Sequence, residues 1–165
     1  MRRTLLCALA LSLATGWAQA DTGPVRVEYL NPEKFSDIKD REGPTRVQNN
    51  PHLKSLRSYL EKRAVRFLKP GQSLEVRFND IDLAGHIEPS AALELRDVRI
   101  VRGVYPPSMA FDYVVKAADG TPVTSGSVKL KDLGFDTGYS GRATDPLRFE
   151  KHMLDKWLRD ALGGG

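Results

Sequence analysis

The order of hydrophobic periodicities constrains this chain most. Two stretches repeat apolar residues at helical spacing, and the segments between them alternate. In the first stretch Leu53, Leu56, Leu60, Ala64 and Phe67 fall on one helical face, while Lys54, Arg57, Lys62, Arg63 and Arg66 take the others. Asn50 is placed to cap this helix, Pro51 suits its first turn, and Pro70-Gly71 stops it. In the second, Leu147, Met153, Leu154, Trp157, Leu158 and Ala161 share a face behind a capping Asp145 and Pro146, and Gly163 to Gly165 form a flexible tail.

Alternation marks the strands. Val25, Val27 and Tyr29 point one way and Arg26 and Glu28 the other. Leu74, Val76 and Phe78 repeat the pattern, as do Met109, Phe111, Tyr113, Val115 and Ala117. Val98 and Ile100 sit among Arg96, Arg99 and Arg102 and read as another short strand. Ala118-Asp119-Gly120-Thr121 is a hairpin turn, and the return strand carries Val128 and Leu130 inward. Phe35 anchors the near end of a polar loop over 36–50. One-sided alternation fits an antiparallel sheet with one wet face, and two helices that apolar on one side must cover the dry one. The predicted fold is a two-layer α+β domain: a mainly antiparallel sheet of about five strands with two helices on one face.

Residues 1–20 are predicted to be a cleavable signal peptide. Arg2 and Arg3 precede an apolar run from Leu5 to Ala14, and Ala18-Gln19-Ala20 offers small residues at a cleavage site. The run is too short for a stable anchor, which needs roughly 20 apolar residues. Cleavage would leave 21–165 as a single globular domain. It would remove Cys7, the one cysteine, and so exclude disulfides, thiolate zinc sites and a cysteine nucleophile. It would also lower the formal charge of +4 by the charges of Arg2 and Arg3. A nearly neutral exported domain is a poor nucleic-acid binder. The expectation is a periplasmic protein with no membrane span after cleavage.

Few residues suggest chemistry. Asp80, Asp82, His86 and Glu88 share one parity in an extended chain, so they are a candidate divalent-metal set, although their spacing matches no defined ligand motif. The plainer reading follows from a phase slip. Phe78 is inward, yet Ile81 and Leu83 continue inward on the opposite parity, which implies a bulge near Asn79 or Asp80. The aspartates would then face solvent or tie down the bulge. Asp136-Thr137-Gly138 lies in a Gly-rich loop and reads as a surface turn whose aromatic neighbours pack down. His52 and His152 fall on polar helix positions, and neither a catalytic triad nor a resident cofactor is indicated.

Two surfaces are candidates for binding. Arg57, Arg63 and Arg66, with Lys54, Arg96, Arg99 and Arg102, could meet an anionic envelope component, or form an ordinary solvated face. Tyr105-Pro106-Pro107 suits contact with an envelope protein, and equally a stiff inter-strand loop.

Several of these segments together resemble a known family. They are Val27-Glu28-Tyr29-Leu30-Asn31-Pro32 with Phe35 and Asp37, then Asp80-Ile81-Asp82-Leu83-Ala84-Gly85, an Arg-rich strand, Tyr105-Pro106-Pro107, Tyr113 and the Glu150 to Trp157 helix. The pattern resembles the exported bacterial proteins grouped as domain of unknown function 3016. That resemblance implies an envelope protein of Gram-negative bacteria and carries no activity or catalytic residue. The expected function is a non-enzymatic binding or accessory domain, the alternative being the metal site above.

Overall fold

A computed structural model describes residues 23–38, 49–87, 98–138 and 144–163. Strand β1 (Val25–Tyr29) is followed by a short 3-10 turn, Pro32–Lys34, which Asn31 enters in a left-handed conformation at φ 51°. Helix α1 (Pro51–Ala64) begins at the predicted cap: the Asn50 side chain accepts from the amides of His52 and Leu53 at 3.0 and 3.2 Å. A 3-10 turn, Val65–Phe67, extends it and leaves Phe67 partly buried.

Strand β2 (Ser73–Asp82) runs parallel to β1. After it come β3 (His86–Ile87), β4 (Arg99–Ile100), β5 (Ser108–Lys116) and β6 (Pro122–Lys131). A single turn, α2 (Phe135–Gly138), precedes the closing helix α3 (Arg148–Leu162). The main sheet has the order β1-β2-β5-β6, with β2, β5 and β6 antiparallel in turn. The α+β class and the mainly antiparallel sheet are therefore as expected.

The Arg-rich segment departs from expectation. It joins the main sheet nowhere among the described residues; Arg99 and Ile100 pair instead with Ile87 and His86 as a separate two-stranded ladder. Among the described residues four strands make the main sheet, and the small ladder stands beside it. The first pair is parallel because α1 lies between β1 and β2 and returns the chain to the same end.

One hydrophobic cluster joins the layers. Val25, Val27 and Tyr29 of β1, Leu74, Val76, Phe78 and Ile81 of β2, and Met109, Phe111 and Val115 of β5 meet Leu53, Leu56 and Leu60 of α1 and Met153, Leu154, Trp157 and Leu158 of α3. Phe35 is buried in this core, as predicted, and Ile38 joins it. Ala161 does not, being exposed one turn beyond the last buried residue of α3. The inferred bulge is present, with the β2–β5 register shifting between Phe78 and Asp80. The extra residue, Asn79, points to the wet side and donates to Asp112 at 3.0 Å, and Ser127 donates to the same carboxylate. Those bonds hold the Asp112 carboxyl below its ordinary value. No helix among the described residues is long and apolar enough to cross a membrane.

Candidate functional site

The carboxyl ends of parallel strands are where α/β arrangements usually place ligands. In this chain the parallel β1 and β2 run toward the same end, where β2 continues past its last β1 pair, Tyr29 with Phe78, into the Asp80–Gly85 segment. The bulge rotates Asp80 toward the chain that leaves β1. Its two carboxylate oxygens accept from the Ser36 amide at 2.7 Å and the Ser36 hydroxyl at 2.8 Å. The next amide, of Asp37, donates to the Ile81 carbonyl at 3.4 Å. The start of the expected polar loop is thus laid along the end of β2, with Ile38 turned into the core.

Asp37 carries the contact outward. Its carboxylate pairs with Arg99 at 2.5 Å, and the same guanidinium donates to the Gly85 carbonyl at 2.8 Å. Burial first, then the neighbouring Asp37 and Asp80, push the Asp82 carboxyl above its ordinary value, with Arg99 and Lys131 acting against the rise. His52, in the first turn of α1, also faces this group. Burial and the Arg99 charge keep its imidazole below the ordinary value, Asp37 opposing. His52 is therefore half-buried beside the ion pair and not simply on a polar helix face.

On the helix side, Glu150 of α3 is 0% exposed. Its Oε1 accepts from the Ala84 amide at 2.7 Å, and its Oε2 has no hydrogen-bond partner among the described residues. Burial pushes its carboxyl up, partly offset by the Ala84 bond and by Arg99 and Arg148. Ala84 packs in a small second core with Phe135 and Phe149, whose rings meet edge-on at 4.8 Å. Phe135 of the Asp136-Thr137-Gly138 turn thus packs down as read; Tyr139 lies outside the described residues. Gly85 closes the segment at φ 81°, its amide donating to the Tyr105 carbonyl at 3.0 Å.

The residues of the candidate metal set do other things. Asp80 clamps Ser36, Asp82 lies beside Asp37, and His86 lies tilted against Tyr105 with ring centres 5.3 Å apart. Glu88 lies outside the described residues. Among the described residues no group of three or more His, Cys, Asp or Glu is arranged to hold a metal ion.

Most of the binding candidates are also engaged in contacts. Tyr105 is half-buried against His86, and Pro107 is buried with its carbonyl accepting from the Asp132 amide at 3.2 Å. Pro106 is half-buried between them. Arg57 lies over the Tyr29 ring at 5.6 Å, Arg63 pairs with Asp155 at 2.8 Å, and Arg66 is exposed. Arg99 is committed to Asp37, and Arg96 lies outside the described residues.

The residues that reasoning from the sequence did not single out as a site are Ser36, Asp37 and Glu150; Arg99 was grouped with the basic surface, not with this segment. Glu150 did leave a signal: it is a carboxylate inside an apolar stripe, three residues after Leu147 and four before Leu154.

The fold and this end of it define a two-layer α+β domain whose most polar motif is a joint between its layers. The chain belongs to the family described as protein of unknown function (DUF3016), which matches residues 23–160. No curated protein and no solved structure matches the chain.

Proposed function

We propose that this chain is an exported, periplasmic envelope protein of Gram-negative bacteria, cleaved after Ala20, and that its domain is a non-enzymatic binding or accessory module. One observation supports the non-enzymatic reading. The Asp80 carboxylate, the Ala84 amide and the Gly85 amide and carbonyl are engaged with Ser36, Glu150, Tyr105 and Arg99, drawn from four different parts of the chain. A catalytic site needs a nucleophile, base or electrophile aimed at a space a substrate can enter. Here those groups hold the fold's connections in place. Export is supported by the charge, apolar run and small-residue site of residues 1–20.

The test has two parts. The full chain is produced in a Gram-negative host, and the osmotic-shock fraction is analysed by intact mass. A species beginning at Asp21 is expected; uncleaved protein retained in the cytoplasm overturns export. Crosslinking in living cells then looks for a reproducible envelope protein joined to the domain. Its consistent absence across crosslinkers of different reach overturns the accessory reading.

A further inference from the structure

The main sheet ends at β1 on one side and at β6 on the other. An edge strand turns a row of N–H and C=O groups outward, open to pairing with another strand, and proteins blunt such edges with short strands, charges, proline or bulges. β1 is blunted in two ways: it has five residues, and its Arg26 and Glu28 side chains pair at 3.0 Å. β6 has ten residues. Pro122 and the register shift beside it guard the turn end, and Lys129 and Lys131 the other. The stretch between, Val123 to Val128, carries neither charge nor proline, and Pro122 to Ser127 are all exposed.

The direction of the open groups follows from one bond at the end of the ladder. The Asp132 amide donates to the Pro107 carbonyl at 3.2 Å, and the β5–β6 register sets these two residues opposite each other. Hydrogen-bonded pairs alternate with non-bonded ones along an antiparallel ladder. Leu130, Val128, Gly126 and Thr124 therefore bond to β5, while Lys131, Lys129, Ser127 and Ser125 turn both backbone groups to the open side. Among the described residues no strand but β5 pairs with β6. On the dry side of this edge Val128 and Leu130 are only partly buried.

We propose that this edge pairs with the same edge of a second copy, antiparallel, about a two-fold axis at Val128. Three features favour that occupant. First, the register sets Ser125 opposite Lys131 and Ser127 opposite Lys129, so the outward-turned residues of each copy all find partners. Other registers set Ser125 or Lys131 against residues outside the regular ladder. Second, no lysine meets a lysine. Each faces a serine, and Lys129 extends across Ser127 toward the Asp112 carboxylate to which Ser127 donates. Third, on the dry side Val128 meets Val128 and Leu130 lies over Gly126, so each copy covers the apolar side chains that the helices leave partly open. One strand of ten residues is a small interface, so the dimer is weak, with a Kd of roughly 10 µM to 1 mM. The inference goes beyond the accessory reading and needs neither export nor an envelope partner.

The test is sedimentation equilibrium of the chain as recovered from the Gram-negative host, over about 5 µM to about 1 mM. The mass is expected to rise with concentration from one copy toward two and not beyond. Ser125→Glu, opposite Lys131 of the second copy, should tighten the dimer about threefold or more, and Ser125→Lys should weaken it as much, since each change acts twice across the axis. Ser125 is exposed, so neither change touches the core. Ser125→Pro removes an outward N–H, which an edge strand tolerates, and should abolish pairing over this range. Should that variant misfold, the Glu and Lys variants still decide. A single-copy mass at every concentration overturns the inference, and so do equal responses to Glu and Lys. If the purified chain stays single while Ser125→Pro removes a crosslink to an envelope protein in cells, the edge receives that protein, and the inference falls while the accessory reading stands. A dimer that responds as stated, with no envelope crosslink, gives the converse.

Discussion

Substituting Gly85 by alanine tests the joint most directly. At φ 81° an L-residue is in the left-handed region, which costs about 1–2 kcal/mol. The added Cβ would also lie 2.5 Å from the Ile100 carbonyl oxygen, 3.0 Å from its carbon and 3.0 Å from the Val101 Cα. All three are backbone atoms and cannot rotate aside. Restoring an ordinary separation of about 3.5 Å needs roughly 1 Å of movement between the Gly85 turn and β4. That movement breaks the Gly85 amide bond to Tyr105 and the Arg99 bond to the Gly85 carbonyl. Their net contributions are about 1 and about 2 kcal/mol, the second being charge-assisted. The expected destabilisation is about 4–5 kcal/mol, a large part of a typical stability of roughly 5–15 kcal/mol. Gly120 is the control: its φ is 85°, but a Cβ there meets nothing within 4 Å. Gly120→Ala should therefore cost only the conformational part, about 1–2 kcal/mol. Urea denaturation followed by far-ultraviolet circular dichroism measures both. If Gly85→Ala falls within about 1 kcal/mol of Gly120→Ala, the close approach to β4 is not a constraint and the reasoning fails.

Glu150→Gln should change the pH dependence of stability. Burial raises the folded-state value of this carboxyl, so its contribution is fully present below the ordinary 4.5 and is lost as pH rises toward the folded value. The amide keeps an acceptor for Ala84, so the fall in urea midpoint between about pH 4 and about pH 7 should shrink; an unaltered fall counts against a buried titrating carboxyl. Asp80→Ala should cost about 1–2 kcal/mol and speed hydrogen exchange at the Asp37 and Ile38 amides, whereas unaltered exchange would show that Ser36 is not what fixes this segment. Tyr29→Phe removes a buried hydroxyl that donates to the Leu53 carbonyl at 2.7 Å, and should cost about 1 kcal/mol in thermal or urea melts. Burial holds that phenol well above its ordinary value, so it should not titrate before alkaline unfolding; early ionisation by absorbance would contradict its placement.

Much of the fold was legible because face and period are local properties. The Asn50 cap, the hairpin at Asp119-Gly120 and the alternations of β1, β2 and β5 each depend on a few adjacent residues. The bulge was legible too, since an apolar residue that changes parity needs an extra residue to do so. Pairing was less so. Val25, Val27 and Tyr29 alternate identically whether their neighbour is parallel or antiparallel, and only the route through α1 decides. Arg99 and Ile100 look like a strand by local pattern. They are one, but paired with β3 in a separate ladder, and the Arg99 side chain further ties the segment to Asp37 and Gly85. Ala161 continues the helical period, but the period runs on past the point where buried packing ends.

The candidate metal set was grouped by parity, an assumption that holds only for an unbroken extended chain. The bulge precedes Asp80 and leaves Asp80 and Asp82 in phase with each other, but Gly85 turns the chain before His86, so beyond it shared parity no longer means a shared face. The true neighbours come from far along the chain: Ser36 is 44 residues from Asp80, and Glu150 is 66 from Ala84. Contacts of that separation leave no local period to read.

At the Asp80–Gly85 joint, backbone and side chains bind one another across four segments, leaving the second oxygen of Glu150 open. There the burial that raises the carboxyl also favours the uncharged form, which reduces the cost of that open oxygen. A motif with its groups so engaged can be distinctive of a family for structural reasons alone: changing Gly85 or Asp80 disturbs the fold before any ligand is considered. Stability should therefore respond to the motif, and variants at Gly85 and Asp80 that left stability unchanged would refute this structural reading.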